Sequence, residues 1–235
     1  MGGTHPLGIN AAGQMVGDYT VGVSSHGFVE TNGVFSTFDA PGFNIYVSDI
    51  NTVGQLVGQY GDAVGGHGFV GTNGVFTILD APRQSFVDTV ASGINDAGRV
   101  MGQYNDATGT HGFVETGGVF TTLDAPGAVA GAFASGINNA GQVVGYYRST
   151  GSYDGFLETN GAFSTLDVPG ANQTYDSGIN DAGQVTGPYI DSTGTHGFVA
   201  TPFATTAVPE PASAALLVLG WVVSAWSVEA ARQPD

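Results

Sequence analysis

Four histidines stand at matched places in the chain, His26, His67, His111 and His196, each opening a His-Gly-Phe triplet. Imidazoles at matched places could ligate a metal if they converged on a central axis. Asp154 holds the remaining matched place and breaks the set. The plainer role for each is a loop histidine bonding a neighbouring turn. Five tyrosines, Tyr19, Tyr60, Tyr104, Tyr147 and Tyr189, keep a fixed distance from those places. An aromatic face with a polar tip could stack on a sugar ring, while the same stripe could equally be core between repeats. These nine residues are the candidate ligand-binding set. Asp62, Asp106 and Asp191 share one loop position. Calcium would need several oxygens from one tight loop, so a solvated turn is the default for them. Asp39, Asp80, Asp124 and Asp167 each open an Asp-Ala-Pro or Asp-Val-Pro turn, which they are expected to brace. Asp49, Asp88 and Asp176 break the repeat symmetry, as an asymmetric active site would require. Nothing pairs them as the two carboxylates of a glycosidase must be paired. There is no nucleophile elbow, phosphate loop or zinc-protease helix. No catalytic residue, metal or cofactor is therefore assigned.

The elements that position these residues repeat. Asn10, Asn51, Asn95, Asn138 and Asn180 recur at steps of 41, 44, 43 and 42 residues. The His (or Asp154) place follows each Asn by 16 residues, and the Asp-Ala/Val-Pro turn follows by 13 more. All length variation falls after that turn. Paired strands cannot change length without slipping register, whereas loops can. Within a unit, Asn95-Asp96-Ala97-Gly98 reads as a turn, then Arg99–Tyr104 as a strand and His111–Glu115 as another. Asn32-Gly33, Asn73-Gly74, Gly117-Gly118 and Asn160-Gly161 read as two-residue hairpin turns, because positive φ is needed at both places. A fourth strand of the Val119–Leu123 type closes the unit. Both strand faces are apolar, which suits a sheet packed between two others. The strand glycines Gly17, Gly58, Gly102, Gly145 and Gly187 would then serve close contact between units. Five four-stranded antiparallel repeats predict an all-β fold, foremost a five-bladed β-propeller, complete or incomplete; a stacked β-solenoid is the alternative. The expected layout is a β-repeat domain over 1–203, a Pro-containing linker over 204–213, an apolar helix over 214–228 and a polar tail over 229–235. The fifth unit loses its hairpin turn to Thr201-Pro202-Phe203. Met1–His5 lacks the basic and apolar regions of a signal peptide, and the expectation is that the natural start lies upstream.

Composition narrows the partners. The 235 residues include 20 acidic and only 4 basic side chains, all arginine, for a net charge of −16. Such a chain repels phosphate backbones, so nucleic acid is not an expected partner. With no cysteine, disulfides and thiolate metal sites are excluded.

The periodic set Gly-Ile-Asn…Gly…Val-Gly-x-Tyr…His-Gly-Phe over residues 8–203 resembles the HAF repeats of bacterial extracellular proteins. Val208-Pro209-Glu210-Pro211-Ala212-Ser213, followed by an apolar run, resembles a PEP-CTERM sorting signal. That resemblance implies an exosortase-type sorting enzyme as partner, processing near the apolar segment, and a place at the outer surface or in the exopolysaccharide matrix. By residue chemistry alone, 212–228 carries no charge over 17 residues. As a helix it would span about 25 Å, close to a hydrocarbon core, so transient membrane insertion is expected; a buried C-terminal helix is the other reading. The functional expectation is a non-enzymatic surface or matrix protein. Next come a lectin-like propeller and then an extracellular hydrolase.

Overall fold

A computed structural model describes residues 3–82, 88–202 and 226–230. Every regular element in them is a β-strand. Unit one is β1 (Thr4–Ile9), β2 (Met15–Val21), β3 (Ser24–Thr31) and β4 (Val34–Phe38). Unit two is β5 (Phe43–Ile50), β6 (Leu56–Gly61), β7 (Gly66–Thr72) and β8 (Val75–Leu79). Unit three is β9 (Asp88–Ile94), β10 (Val100–Asp106), β11 (Gly109–Thr116) and β12 (Val119–Leu123). Unit four is β13 (Ala130–Ile137), β14 (Val143–Arg148), β15 (Tyr153–Thr159) and β16 (Ala162–Thr165). Unit five is β17 (Gln173–Thr174), β18 (Gly178–Ile179), β19 (Val185–Asp191), β20 (Gly194–Pro202) and β21 (Trp226–Ala230). Each unit is an antiparallel sheet in chain order, with β17 and β18 sharing the innermost place beside β19. Among the described residues, strands of different units hydrogen-bond only at one parallel bridge, Gly66 with Asp88. A solenoid would instead run its sheets through successive repeats.

The expected turns form as the sequence requires. Asn32, Asn73 and Asn160 have φ of 52°, 51° and 52°, each followed by a glycine at positive φ. At three of the four hairpin turns, those at 32–33, 117–118 and 160–161, a glutamate two residues before the turn accepts the N–H of its second residue: Glu30 with Gly33, Glu115 with Gly118 and Glu158 with Gly161. The repeat asparagine closes its own turn; Asn95 Oδ1, for example, accepts from Ala97 and Arg99 N–H.

Apolar packing lies between units rather than within them. Val16 and Ala40 of unit one pack with Ile45, Ile50, Leu56, Tyr60 and Phe69 of unit two. Val57, Leu79 and Ala81 meet Ile94, Val100, Tyr104 and Phe113. The same columns recur between units three and four and between four and five. Each sheet thus has a front, packed on the preceding unit, and a back, packed on the following one. That is the stacking of propeller blades. The fold is propeller-like: all-β sheets placed face to face in chain order.

Two expectations are corrected. The strand glycines do not serve contact between units. A Cβ on Gly102 would lie 2.0 Å from the Val90 carbonyl oxygen, and one on Gly145 2.0 Å from that of Phe133, both on the innermost strand of the same unit. That strand carries a β-bulge in units one to four, and the bulge drives its backbone into the neighbouring strand. The second correction concerns the helix expected over 214–228. Residues 214–225 lie outside the described residues, but Trp226–Val228 belong to β21. Its backbone pairs with β20, from Phe198 opposite Ala230 to Pro202 opposite Trp226. This is the place that β4 takes beside β3, where Phe28 faces Thr37. Lacking its hairpin turn, unit five would leave the β20 edge bare, and an unpaired edge of backbone donors and acceptors is costly or sticky. A later segment fills it.

Candidate functional site

The structure brings the candidate residues of each repeat together, and shows what occupies them. Strand β6 faces β7 with Tyr60 directly opposite His67, and β10 faces β11 with Tyr104 opposite His111. The rings therefore stack, with centroids 5.3 Å apart for Tyr60–His67 and 5.2 Å for Tyr104–His111. Tyr19–His26 and Tyr189–His196 repeat the contact at 5.3 and 5.0 Å. Tyr60, Tyr104, Tyr147 and Tyr189 are buried in the packing between units, and Tyr19 is half-buried. Burial leaves these four rings little free face, although Tyr60 and Tyr104 each line an open cavity.

Each histidine is in turn held by carboxylates. His26 Nδ1 lies 2.6 Å from Asp39, His67 Nδ1 2.9 Å from Asp80 and His111 Nδ1 3.5 Å from Asp124. The aspartates of the Asp-Ala-Pro turns thus serve the histidine 13 residues earlier. On the other ring edge, Nε2 of His67, His111 and His196 lies 3.1, 3.2 and 3.2 Å from Asp62, Asp106 and Asp191. Those same aspartates accept the N–H two residues on, from Val64, Thr108 and Thr193. Burial disfavours the His67 cation, but hydrogen bonds and charge from Asp80 and Asp62 outweigh it and raise its pKa. Bonds from Thr108 and the nearby His111 hold Asp106 down at about 2, and Thr193 and His196 do the same for Asp191. The histidines are spread one per unit, and no group of three His, Asp or Glu among the described residues is gathered as a metal ion would need.

Unit four departs from the pattern. Asp154 stands in the histidine's place, and Asp167 Oδ1 accepts the Gly155 N–H at 3.0 Å instead. Asp176 enters from unit five, fully buried, with neither carboxylate oxygen hydrogen-bonded. Burial, then the charge of Asp167, pushes its pKa up to about 9. Beside it Tyr146, Tyr153 and Tyr175 form a ring cluster with centroids 4.9 to 5.9 Å apart. Sequence reading marked Asp176 as asymmetric but not as buried. It stands four residues before Asn180, where Val47, Ala91 and Ala134 stand before their own asparagines, so that column carried the signal. The other two asymmetric aspartates lie at other junctions. Asp49 accepts Ile50 and Ile94 N–H, and Asp88 accepts Gly66 N–H.

Two open cavities lie along units two and three. One, of about 390 Å³, is lined by Asn44, Tyr46, Gln59, Asp88, Val90 and Asn105, among others. The other, of about 530 Å³, is lined by Pro82, Tyr104, Asp106, Thr108, Phe120 and Thr122, among others. The first offers neutral amides, one carboxylate and the Tyr46 ring, which is 42% exposed. Such a lining hydrogen-bonds a polyhydroxyl ligand and can stack one ring. It presents no nucleophile with an adjacent base. The sequence singled out Tyr60 and Asp88 of the first lining and Tyr104 and Asp106 of the second, but not Asn44, Tyr46, Gln59 or Asn105, which come together only from strands and strand ends of two units. The Val208-Pro209-Glu210-Pro211 motif lies outside the described residues, within which no helix is long and apolar enough to cross a membrane.

No family model and no curated protein matches the chain. Among solved structures its fold is similar to selenomethionine-substituted virginiamycin B lyase from Staphylococcus aureus, a β-propeller, with a TM-score of 0.53 at 13% identity. The alignment covers 84% of this chain and 74% of that one. At that identity the likeness concerns the fold alone, and agrees with face-to-face sheets.

Proposed function

We propose that this chain is a non-enzymatic surface or extracellular-matrix protein with a structural or interaction role. One observation carries this reading. Carboxylates stand at both ring nitrogens of His67 and His111 and at one nitrogen of His26 and His196, and all four rings lie against a tyrosine of their own unit. A general base must face a substrate with a free nitrogen, which His67 and His111 do not offer. The sorting-type motif at 208–211 and the charge of −16 support export and a place at the surface, with an exosortase-type enzyme as processing partner. Because β21 lies beyond the motif, deletion of the whole tail would also strip an edge strand from unit five. The cleaner test replaces Pro209, Glu210 and Pro211 with alanine in the native host. The variant should leave the cell-associated fraction; unchanged retention sinks the sorting part of the proposal.

A second reading, a lectin-like module, is favoured by the amide-lined cavity between units two and three. Equilibrium binding to neutral and acidic exopolysaccharides tests it. Binding at millimolar ligand, lost in Tyr46→Ala and Gln59→Ala, supports a sugar site there; no binding at that concentration removes it.

A further inference from the structure

We infer that the two ends of the row of units are complementary halves of one interface, and that the front of unit one docks on the back of unit five of a second copy. The four internal interfaces define what such a junction needs. Its front supplies the isoleucine before the repeat asparagine; Ile50 and Ile94 are 4% and 5% exposed. Ile9, in the same place on unit one, is 68% exposed. Phe76 and Phe120 pack partly buried into their interfaces, while Phe35 is 59% exposed. Ile9 and Phe35 are thus the uncovered part of the unit-one front, while Phe28, in the place of Phe69 and Phe113, is only 2% exposed and packs on Phe35.

The back of unit five is the other half. The glycine of the His-Gly-Phe triplet lets the next unit approach. A Cβ there would lie 3.0 Å from Val47 at Gly27, 3.1 Å from Thr89 at Gly68, 3.1 Å from Ala132 at Gly112 and 2.6 Å from Asp176 at Gly155. Gly197 keeps the glycine, yet a Cβ on it would meet nothing within 4 Å. Val199 is 45% exposed where Val114 and Leu157 are 3% and 5%. Thr186 is exposed where Val16, Val57 and Val144 are fully buried.

A hydrogen-bond ladder gives the direction. Asn10 Nδ2 donates to the Asn51 carbonyl at 2.9 Å, Asn51 to Asn95, Asn95 to Asn138 and Asn138 to Asn180, each at 3.1 Å. The Asn180 side chain is exposed and, among the described residues, bonds only within its own turn. Among the described residues, the Asn10 carbonyl accepts only from Gly13. One end therefore offers a spare donor and the other a spare acceptor. Two unit-one fronts meeting symmetrically would set acceptor against acceptor, so the ladder calls for a head-to-tail, heterologous contact. Repeated, such contact builds larger assemblies, a useful property in a matrix component.

Sedimentation velocity of the full chain, with 0.15 M salt to screen its negative charge, tests this. Association should rise with concentration. Ile9→Asp spoils every front, and Gly197→Arg spoils every back; Thr186→Arg is a second back variant should Gly197→Arg unfold. Each alone should associate at least about 30-fold more weakly, as loss of a central contact does. An equal mixture of a front and a back variant retains one good front and one good back, and should form a dimer that grows no further. A wild type that stays monomeric overturns the inference, whether because its ends close within one chain or because further units of a longer chain cover them. Association indifferent to both variants, or a mixture that remains monomeric, overturns it as well.

Discussion

In unit two, His67 stands with Asp80 2.9 Å from one ring nitrogen and Asp62 3.1 Å from the other. In unit four the same place holds Asp154, whose charge bears on Asp167, and Asp167 in turn bears on the buried Asp176. The strands, turns and register of the two units match. What differs is how carboxylates are neutralised where sheets meet. Unit two sets an imidazole between two carboxylates, which raise its pKa, while its hydrogen bond and charge help to lower that of Asp62. In unit four Glu158 pairs with Arg99 at 3.5 Å, but no ion pair among the described residues reaches Asp176, which holds its proton well into the alkaline range. The scaffold thus tolerates either solution, but with opposite pH behaviour on the carboxylates and a different cost of error.

The widest break of this comparison is His67→Asp, which puts a third carboxylate between Asp62 and Asp80 in a largely buried place. Loss of about 3 kcal/mol of stability is expected in urea unfolding at pH 7, as when a buried pair loses one partner. A loss below about 1 kcal/mol would mean that the imidazole contributes only shape. The converse change is Asp176→Ala. Alanine already fills this column at Ala91 and Ala134, both buried, so no overpacking follows. Removing a buried, unbonded carboxyl should stabilise the fold by about 2 kcal/mol at pH 7.

The pH profile should move with it. Asp176 has a raised folded pKa, so the folded state keeps a proton that the unfolded chain has released. Its contribution is complete below about pH 4 and is lost progressively as pH climbs towards 9. Asp176→Ala should flatten wild-type stability between pH 5 and pH 9. Asp106 and Asp191 run the other way: held down at about 2, they lose their contribution as pH falls below 4. A wild-type profile rising from pH 5 to pH 9 would contradict the burial of Asp176.

Much of this contrast was legible beforehand, and the remainder has a physical reason for being hidden. Turns such as Asn73-Gly74 are local, so residue type alone determined them. The constant 13-residue offset from His67 to Asp80 was visible, but offset does not say which side chains share a face, and Asp80 was read as bracing its own turn. The strand glycines were seen as a column, yet whether Gly102 meets its own sheet or the next depends on a bulge that leaves no residue-type mark. Strand β21 was the hardest to see. Trp226–Ala230 reaches β20 across 23 intervening residues, and its apolar residues suit a helix as well as an edge. The amide-lined cavity escaped because Asn44, Gln59 and Asn105 are ordinary surface residues until two units bring them together.

The smallest expected effect is also the sharpest discriminator between the two units. Asp154→His would place an imidazole opposite Tyr147, as His67 lies opposite Tyr60, with Asp167 standing 13 residues on, as Asp80 does from His67. If charge neutralisation is what unit four lacks, the variant gains about 1 kcal/mol at pH 6, a typical value for a partly exposed hydrogen-bonded pair. Pairing raises the folded pKa of such a histidine, so the gain is full below about pH 6.5 and disappears as pH rises past it. Combined with Asp176→Ala, the gain should shrink, since Asp167 would then face one carboxyl fewer; a fully additive pair would show that Asp154 and Asp176 do not share one electrostatic site.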